Sequence, residues 1–551
     1  MIRDLTRILS LWRPRWGWLV AGAAMAVLAA LAGVALFAFA GRGVSEGLRT
    51  GVLAGAAAGS LLLLRPLILL RPAARYLERL VTHAATFRAL ADTRVWFFRR
   101  LAERLPGGLG LRRAGDLLGR LVSDVEALDG LYLRALVPAV AALAVVLATA
   151  LLLGAIAPLL AVIVALPLAL ALLLPPLLAP GAARAAEDVA EAQGALRAAA
   201  IDPLLGIEDT LAANAEPRAS ARLSTAAAAL VQTQKRLASR SAWGGAAGTA
   251  LAQAALLGAL GYGLAGGPGV IGAAVIGLFM ALAAAESLAA LPRAGTALAA
   301  AGAGARRLFE AADTPAPVAE PTTPAQPAAG HALKVEGLHF AWAEDRDPVF
   351  TGLDLDLPEG GRLALLGPSG AGKSSLAALL LKLAAPSQGR ILLGGVDIAT
   401  LPHDAVRARI ACLTQDARLF DDSIAANLRL AKPDATEAEL WRALDRAGIG
   451  ETIRALPEGL ETGCGEGGAR FSGGQGRRLA LARVLLSPAR ILILDEPAAG
   501  LDPSAERAFL ETLESATEGR SVILIAHRLL GMERPTRILR LVGGRAMPAM
   551  G

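Results

Sequence analysis

Residues Gly367 to Ser374 read GPSGAGKS, the pattern G-x-x-x-x-G-K-[ST]. Glycines at Gly367, Gly370 and Gly372 let backbone N–H groups come close to an anion; Ser369 lies within the same stretch and Ser375 directly follows it. An apolar run, 363–366, precedes the loop, and a helical apolar pattern from Ser375 to Leu383 follows it. That strand–loop–helix context is the one in which such a loop cradles phosphates, with the helix N-terminus adding partial positive charge. Lys373 would then reach the β- and γ-phosphates, and the Ser374 hydroxyl would ligand Mg²⁺. Further along, the apolar run Ile491–Leu494 ends in Asp495 and Glu496. A strand delivering two carboxylates there suits one of them, Asp495, to Mg²⁺ and its waters. Glu496 is placed to polarise an attacking water.

These residues need elements to hold them. From residue 331 onward, strands and helices alternate, the pattern of an α/β nucleotide-binding domain. Before residue 300 the chain is of another kind. It contributes most of the 54% hydrophobic content, and six apolar runs stand out at 17–40, 51–74, 134–156, 159–179, 243–265 and 269–293. Each approaches the ~20 residues that cross a bilayer. Arginines 94, 99, 100, 104, 112, 113 and 120 fall between the second and third runs, and Arg134 stands at the start of the third. The positive-inside rule places that segment, and with it both termini, in the cytoplasm. The net charge of +7 thus reads as membrane topology rather than as nucleic-acid binding. Stretches of about sixty residues after the second and fourth runs look like helices that leave the membrane, turn and return. The domains expected are therefore 1–311, spanning the membrane, and 331–551, the ATPase. Between them, 312–330 (ADTPAPVAEPTTPAQPAAG for 312–330) is an extended linker.

Smaller features bear on the same plan. Ile2, Leu5, Ile8, Leu9 and Trp12 are spaced for an amphipathic surface helix, or else for the frayed start of the first span. Two cysteines, Cys412 and Cys464, lack ligand spacing and are read as structural. Arg71, Arg75, Arg79 and His83 follow one another at four-residue steps and share a helix face. Facing a cavity, that stripe suits an anionic substrate; facing solvent, it is only a polar helix surface. Arg65 and Glu286 either line the same pathway or pair across helices.

About twenty residues before Asp495 stands FSGGQ, Phe471–Gln475. At this point the chain resembles the ATP-binding cassette exporters, over its whole length. FSGGQ is similar to that family's LSGGQ signature, with Phe471 for leucine and Gly476 where a basic residue is common. The resemblance implies that Ser472, Gly473, Gly474 and Gln475 act on ATP held by an opposite cassette. It implies that Trp342, 25 residues before Gly367, stacks on adenine. Gln415 in LTQD resembles the glutamine that links Mg²⁺ and water to the membrane domain. Asp502 in GLDP resembles the D-loop aspartate, His527 in IAHR the switch histidine, and Glu466 a loop that touches coupling helices. Stretches 115–125 and 206–216 resemble the coupling helices themselves.

A narrower resemblance lies in RYLERLVTHAATFR (75–88), in the run 124–134, in AAGLD (498–502) and in HRLLG (527–531). These look like the CydC-type half of CydDC exporters. That group implies a heterodimer with a CydD-like subunit in the bacterial inner membrane. It also implies export of cysteine and glutathione to the periplasm, support of cytochrome bd assembly, and a link to haem b as ligand or cargo. Arg75, Arg79 and His83 become candidates for substrate or haem. The competing expectations are a haem transporter or haem-regulated pump and, in another class, a membrane-bound ATPase that senses haem or thiols and moves nothing.

Overall fold

The computed structural model describes residues 1–50, 53–102, 104, 119–343, 345–498, 503–529 and 534–549. The chain divides into two compact units, one carrying the helices as far as Thr314, the other beginning at Pro315.

The first unit is all helix. A short helix α1 (Ile2–Leu11) leads into α2 (Trp16–Thr50), α3 (Leu53–Ala102), α4 (Val137–Ile156) and α5 (Pro158–Leu205). A six-residue helix α6 (Ile207–Ala212) then turns the chain into α7 (Glu216–Ala265), α8 (Ile271–Leu288) and α9 (Pro292–Ala312). Among the described residues, five stretches are long and apolar enough to cross a membrane: 13–48, 120–156, 158–182, 216–265 and 271–312. The remaining expected span, 51–74, starts outside the described residues and continues as α3. Helices α3 and α7 have 50 residues each and α5 has 48. At 1.5 Å per residue they run roughly 75 Å, more than twice a hydrocarbon core. They must therefore project well beyond the membrane on one side, and α6 closes the α5–α7 projection at its tip. Residues 105–118, with the first four residues of the 115–125 stretch, lie outside the described residues.

Helix α1 is a helix in its own right. Leu5, Ile8 and Trp12 are buried, and Trp12 Nε1 donates to Thr93 Oγ1 at 2.9 Å. Ion pairs Arg7–Asp313 (2.8 Å) and Arg15–Asp92 (2.7 Å) tie its ends to the region after α9 and to α3. Its apolar face thus packs on protein, while Ile2 remains exposed. Helix α9 lies against two π-helical turns, Arg120–Asp124 and Gly130–Leu136. Close approach there requires Gly304, where a Cβ would meet the Asp124 carbonyl oxygen at 2.8 Å. The buried Asp124 carboxylate is gripped by Arg307, whose Nε donates at 2.9 Å and Nη2 at 2.5 Å.

The second unit holds two sheets. An antiparallel sheet runs β2-β1-β4-β5, from β1 (Leu333–Phe340), β2 (Phe350–Leu357), β4 (Gln388–Leu393) and β5 (Val396–Asp397). The other sheet runs β10-β9-β3-β8-β7-β6. Its strands are β3 (Arg362–Leu366), β6 (Ile410–Leu413), β7 (Ile491–Asp495), β8 (Ser521–Ala526), β9 (Arg537–Val542) and β10 (Arg545–Pro548). Strands β9, β3, β8, β7 and β6 are parallel. The runs LALL, ILIL and VILI are continuous apolar stretches because these strands are covered on both faces. The segment from Pro315 to Gly330 lies along this unit: Glu320 pairs with His403 (3.2 Å), and Ala325 N donates to Thr400 O (2.9 Å).

Candidate functional site

Four adjacent parallel strands deliver the site from their carboxyl ends. β3 leads into the Gly367–Gly372 loop, β8 into His527, β7 into Asp495 and Glu496, and β6 into Gln415. The crevice beyond the carboxyl ends of such strands is where α/β folds bind ligands. The loop needs its glycines: Gly370 and Gly372 have φ of +81° and +96°. A Cβ at Gly372 would also come within 2.5 Å of Val349 Cγ1. Helix α10 (Lys373–Leu380) starts directly from the loop, with its N-terminus towards it.

Lys373 is buried and donates from Nζ to the carbonyls of Gly367 (2.7 Å) and Pro368 (3.2 Å). Ser374 Oγ donates to Asp495 Oδ2 at 2.9 Å. Burial pushes the Asp495 carboxyl above the ordinary carboxylate range, and the Ser374 bond opposes that push. A buried, half-satisfied carboxylate beside a serine hydroxyl, with the Gln415 amide on the neighbouring Glu496, is a hard-oxygen donor set, and it fits Mg²⁺. Ser374, Asp495 and Gln415 would hold the ion, which neutralises phosphate charge when bound.

Glu496 is the centre of the arrangement. Its backbone sits in the left-handed region at φ +46°, rare for a side chain of this kind. Its N–H donates to Ile525 O at 2.9 Å. Gln415 Nε2 donates to its Oε2 at 3.0 Å, His527 Nε2 lies 2.7 Å from its Oε1, and Lys373 Nζ lies 3.8 Å from the same oxygen. Three groups that would face a terminal phosphate thus converge on one carboxylate. Trp342 is half-exposed, packs edge-on against Phe340, and donates from Nε1 to Ser375 Oγ at 3.0 Å. Its free face is therefore fixed beside the loop. Ser369 and Gly370 are exposed at the loop tip.

The signature stretch forms a separate feature. Ser472 Oγ accepts from Gln475 N (3.3 Å), and Gln475 Oε1 accepts from Ser472 N (3.0 Å). This capping box opens helix α11 (Gly473–Leu486), leaving Ser472 and Gly473 exposed at its N-terminus. Asp502 lies outside the described residues. Burial pushes the Cys412 thiol up to about 12 and raises that of Cys464, so neither is a ready thiolate.

One residue of the site was not anticipated. Arg477, on α11, donates from Nη1 to the carbonyl of Glu496 (2.8 Å) and from Nη2 to that of Gln415 (3.3 Å). It holds the backbone of both residues from behind. The signal in the sequence is the first of two arginines directly after Gly476, which only the fold turns toward β6 and β7.

On the membrane side, Arg79 and His83 are exposed on α3, with His83 stacked near Phe87 (ring centres 5.7 Å apart). Arg75 is not free: it pairs with Glu286 of α8 at 2.5 Å, and Arg71 pairs with the same carboxylate. Glu286 therefore pairs across helices, while Arg65 is exposed.

Comparison with known proteins agrees with this architecture. The ABC transporter family profile matches residues 350–499, and a profile for an AAA domain matches 469–530. The glutathione/L-cysteine transport system ATP-binding/permease protein CydC of Escherichia coli is 32% identical over 99% of this chain and 96% of its own length. CydC of Haemophilus influenzae is 32% identical over 87% of the chain and 84% of its own. An ATP-dependent lipid A-core flippase of Chromobacterium violaceum is 42% identical, but over 40% of the chain and 38% of its own. A bacterial Atm1-family ABC exporter solved with ATP bound superposes with a TM-score of 0.85 at 26% identity, covering 96% of this chain and 94% of that one. The chain is thus an ATP-hydrolysing, multi-pass membrane transporter subunit whose cassette uses ATP and Mg²⁺. With helices and cassette both matched from end to end, it belongs to the ATP-binding cassette exporters, in the group that contains CydC.

Proposed function

We propose that this chain is one half of a heterodimeric exporter in the bacterial inner membrane. It uses ATP to move cysteine- or glutathione-type thiols from cytoplasm to periplasm, in support of cytochrome bd assembly, and both its termini are cytoplasmic. The observation that carries the reading is the similarity to CydC over 99% of the chain, spans included, against 40% for the flippase.

The site residues take these roles. The loop amides and Lys373 bind the β- and γ-phosphates, and Trp342 stacks on adenine through its free face. An arriving γ-phosphate competes with the Glu496 carboxylate for Lys373 and His527. Glu496, held by its backbone, is then left to orient the attacking water, while Gln415 reports the event to the membrane half. Ser472 to Gln475 present helix N–H groups to ATP on a CydD-like partner, a junction to which the D-loop role would also assign Asp502. Two such cassettes enclose two ATP molecules, and their closure is passed on through 115–125 and 206–216.

ATP-driven uptake of a labelled thiol into inverted vesicles tests the reading. Uptake that disappears in Glu496→Gln supports it. ATP hydrolysis without uptake of any thiol favours a regulatory ATPase and overturns export.

Haem is a second reading, favoured by the exposure of His83 one turn from Arg79. The pair offers one ring nitrogen for iron and one guanidinium for a propionate, since Arg75 is tied to Glu286. His83→Ala should then alter the Soret band of the purified transporter. Arg79→Ala should weaken haem binding by roughly 1–3 kcal/mol. Unchanged haem spectra in both variants remove haem from this helix.

A further inference from the structure

The charges on the span helices gather at one place. Glu286 of α8 bridges two arginines of α3, contacting Arg71 Nη2 through Oε2 and Arg75 Nη2 through Oε1. Each arginine thus meets the carboxylate with a single arm. A guanidinium normally grips a carboxylate through two parallel bonds, so donors remain on both. Helix α2 completes the surroundings. The Phe37 ring centre is 5.7 Å from the Arg71 guanidinium carbon, and a Cβ at Gly33 would lie 3.4 Å from Arg71 Nε.

Depth and charge make this more than a brace. Arg71 is 18 residues along α3 from Leu53, roughly 27 Å at 1.5 Å per residue. Gly33 and Phe37 lie inside the apolar run 17–40, Arg71 inside 51–74 and Glu286 inside 269–293, so the cluster lies among the membrane-spanning stretches. Two guanidiniums and one carboxylate leave a net charge of +1. Toward the C-terminus of α3 the next charges, Glu78 and Arg79, add one of each sign, and toward the N-terminus Arg65, six residues before Arg71, adds another positive charge. An unbalanced charge at such a depth is expensive unless it meets water or a ligand. In this half alone the side chains of Glu286 and Arg75 are 40% and 56% exposed, whereas Arg71 is 20% exposed behind them.

We propose that Arg71, Arg75 and Glu286 form a carboxylate-exchange site, in which a cargo carboxylate takes the spare guanidinium donors and Glu286 is the built-in counter-ion of the unloaded transporter. The proposal rests on the export reading and names the cargo class within it. One net negative charge brings the cluster to neutrality, as a glutathione-type tripeptide does at neutral pH. Cysteine, with one carboxylate and one ammonium, carries no net charge and leaves the positive charge of the cluster unbalanced. Glu286 also limits how tightly cargo is held, because it re-forms both ion pairs as cargo leaves.

The test uses the full chain with its partner half in neutral phosphatidylcholine proteoliposomes, reading the thiol concentration that half-stimulates ATPase activity. Glu286→Gln keeps the shape and removes the competitor. It should lower the value for glutathione about tenfold, and change that for cysteine much less. Arg71→Gln should raise it about tenfold. Glutathione diethyl ester, with both carboxylates masked, should act on the unmodified protein as glutathione does on Arg71→Gln. A gain in affinity cannot come from misfolding, and the ester arm involves no substitution. If Glu286→Gln responds like the unmodified protein, or the ester stimulates as well as the acid, the exchange site is wrong while export stands. If no thiol stimulates the unmodified protein, export and site fall together. If anionic vesicles replace glutathione as the stimulant, the cluster binds a headgroup, and the proposal is overturned.

Discussion

Glu496 shows how much of a catalytic centre lies in backbone rather than side chain. Its left-handed φ of +46° is a conformation that a side-chain-bearing residue keeps only when its surroundings enforce it. The enforcement is visible: a bond from its N–H to Ile525, and Arg477 on its carbonyl. Glu496→Gln should bind ATP nearly normally and lower turnover at this site by about 10²–10⁴-fold, the range for loss of a general base. Unchanged single-site turnover would mean that another residue orients the water. Arg477→Ala should lower turnover about tenfold with little change in the KM for ATP, because it releases geometry rather than a phosphate contact. Arg477→Lys, able to reach one carbonyl, should recover part of the loss. A rise in KM alone, with turnover intact, would show that Arg477 serves binding.

At the scale of elements, the site exists because β3, β8, β7 and β6 lie side by side and end together. The loop, the Asp-Glu pair and the isolated His are each readable along the chain, since each follows an apolar run. Their adjacency is not, because 121 residues separate Ser374 from Asp495. The signature is likewise half legible: S-x-x-Q is a capping box, which explains Ser472 and Gln475 by local physics alone. In the helical unit, the Asp124–Arg307 pair anchors α9 and is hidden from the sequence by a separation of 183 positions. Arg307→Ala leaves a buried carboxylate with one partner fewer, and it should destabilise the unit by about 2–3 kcal/mol. A melting temperature equal to that of the unmodified transporter would show that the pair contributes nothing net.

For the whole molecule, the exposed Ser472 and Gly473 are where the proposed second cassette would bind. In that proposal one chain supplies a loop for one nucleotide and a signature for another. Purified alone, it should hydrolyse ATP poorly; co-purified with a CydD-like subunit, it should become active. A homodimer with full activity would exclude the heterodimer.

The sequence by itself determined the class of chemistry and the membrane plan. Phosphate loops, apolar runs and arginine-rich connections are local patterns, and local physics reads them without reference to distant residues. Only the tertiary structure decided which charges meet. It brought Arg477 behind Glu496, turned the apolar face of α1 onto protein, and gave Glu286 to Arg71 and Arg75. Ion pairs and hydrogen bonds act over a few ångströms in space, and a four-residue stripe on α3 carries no information about the carboxylate more than two hundred residues away on α8.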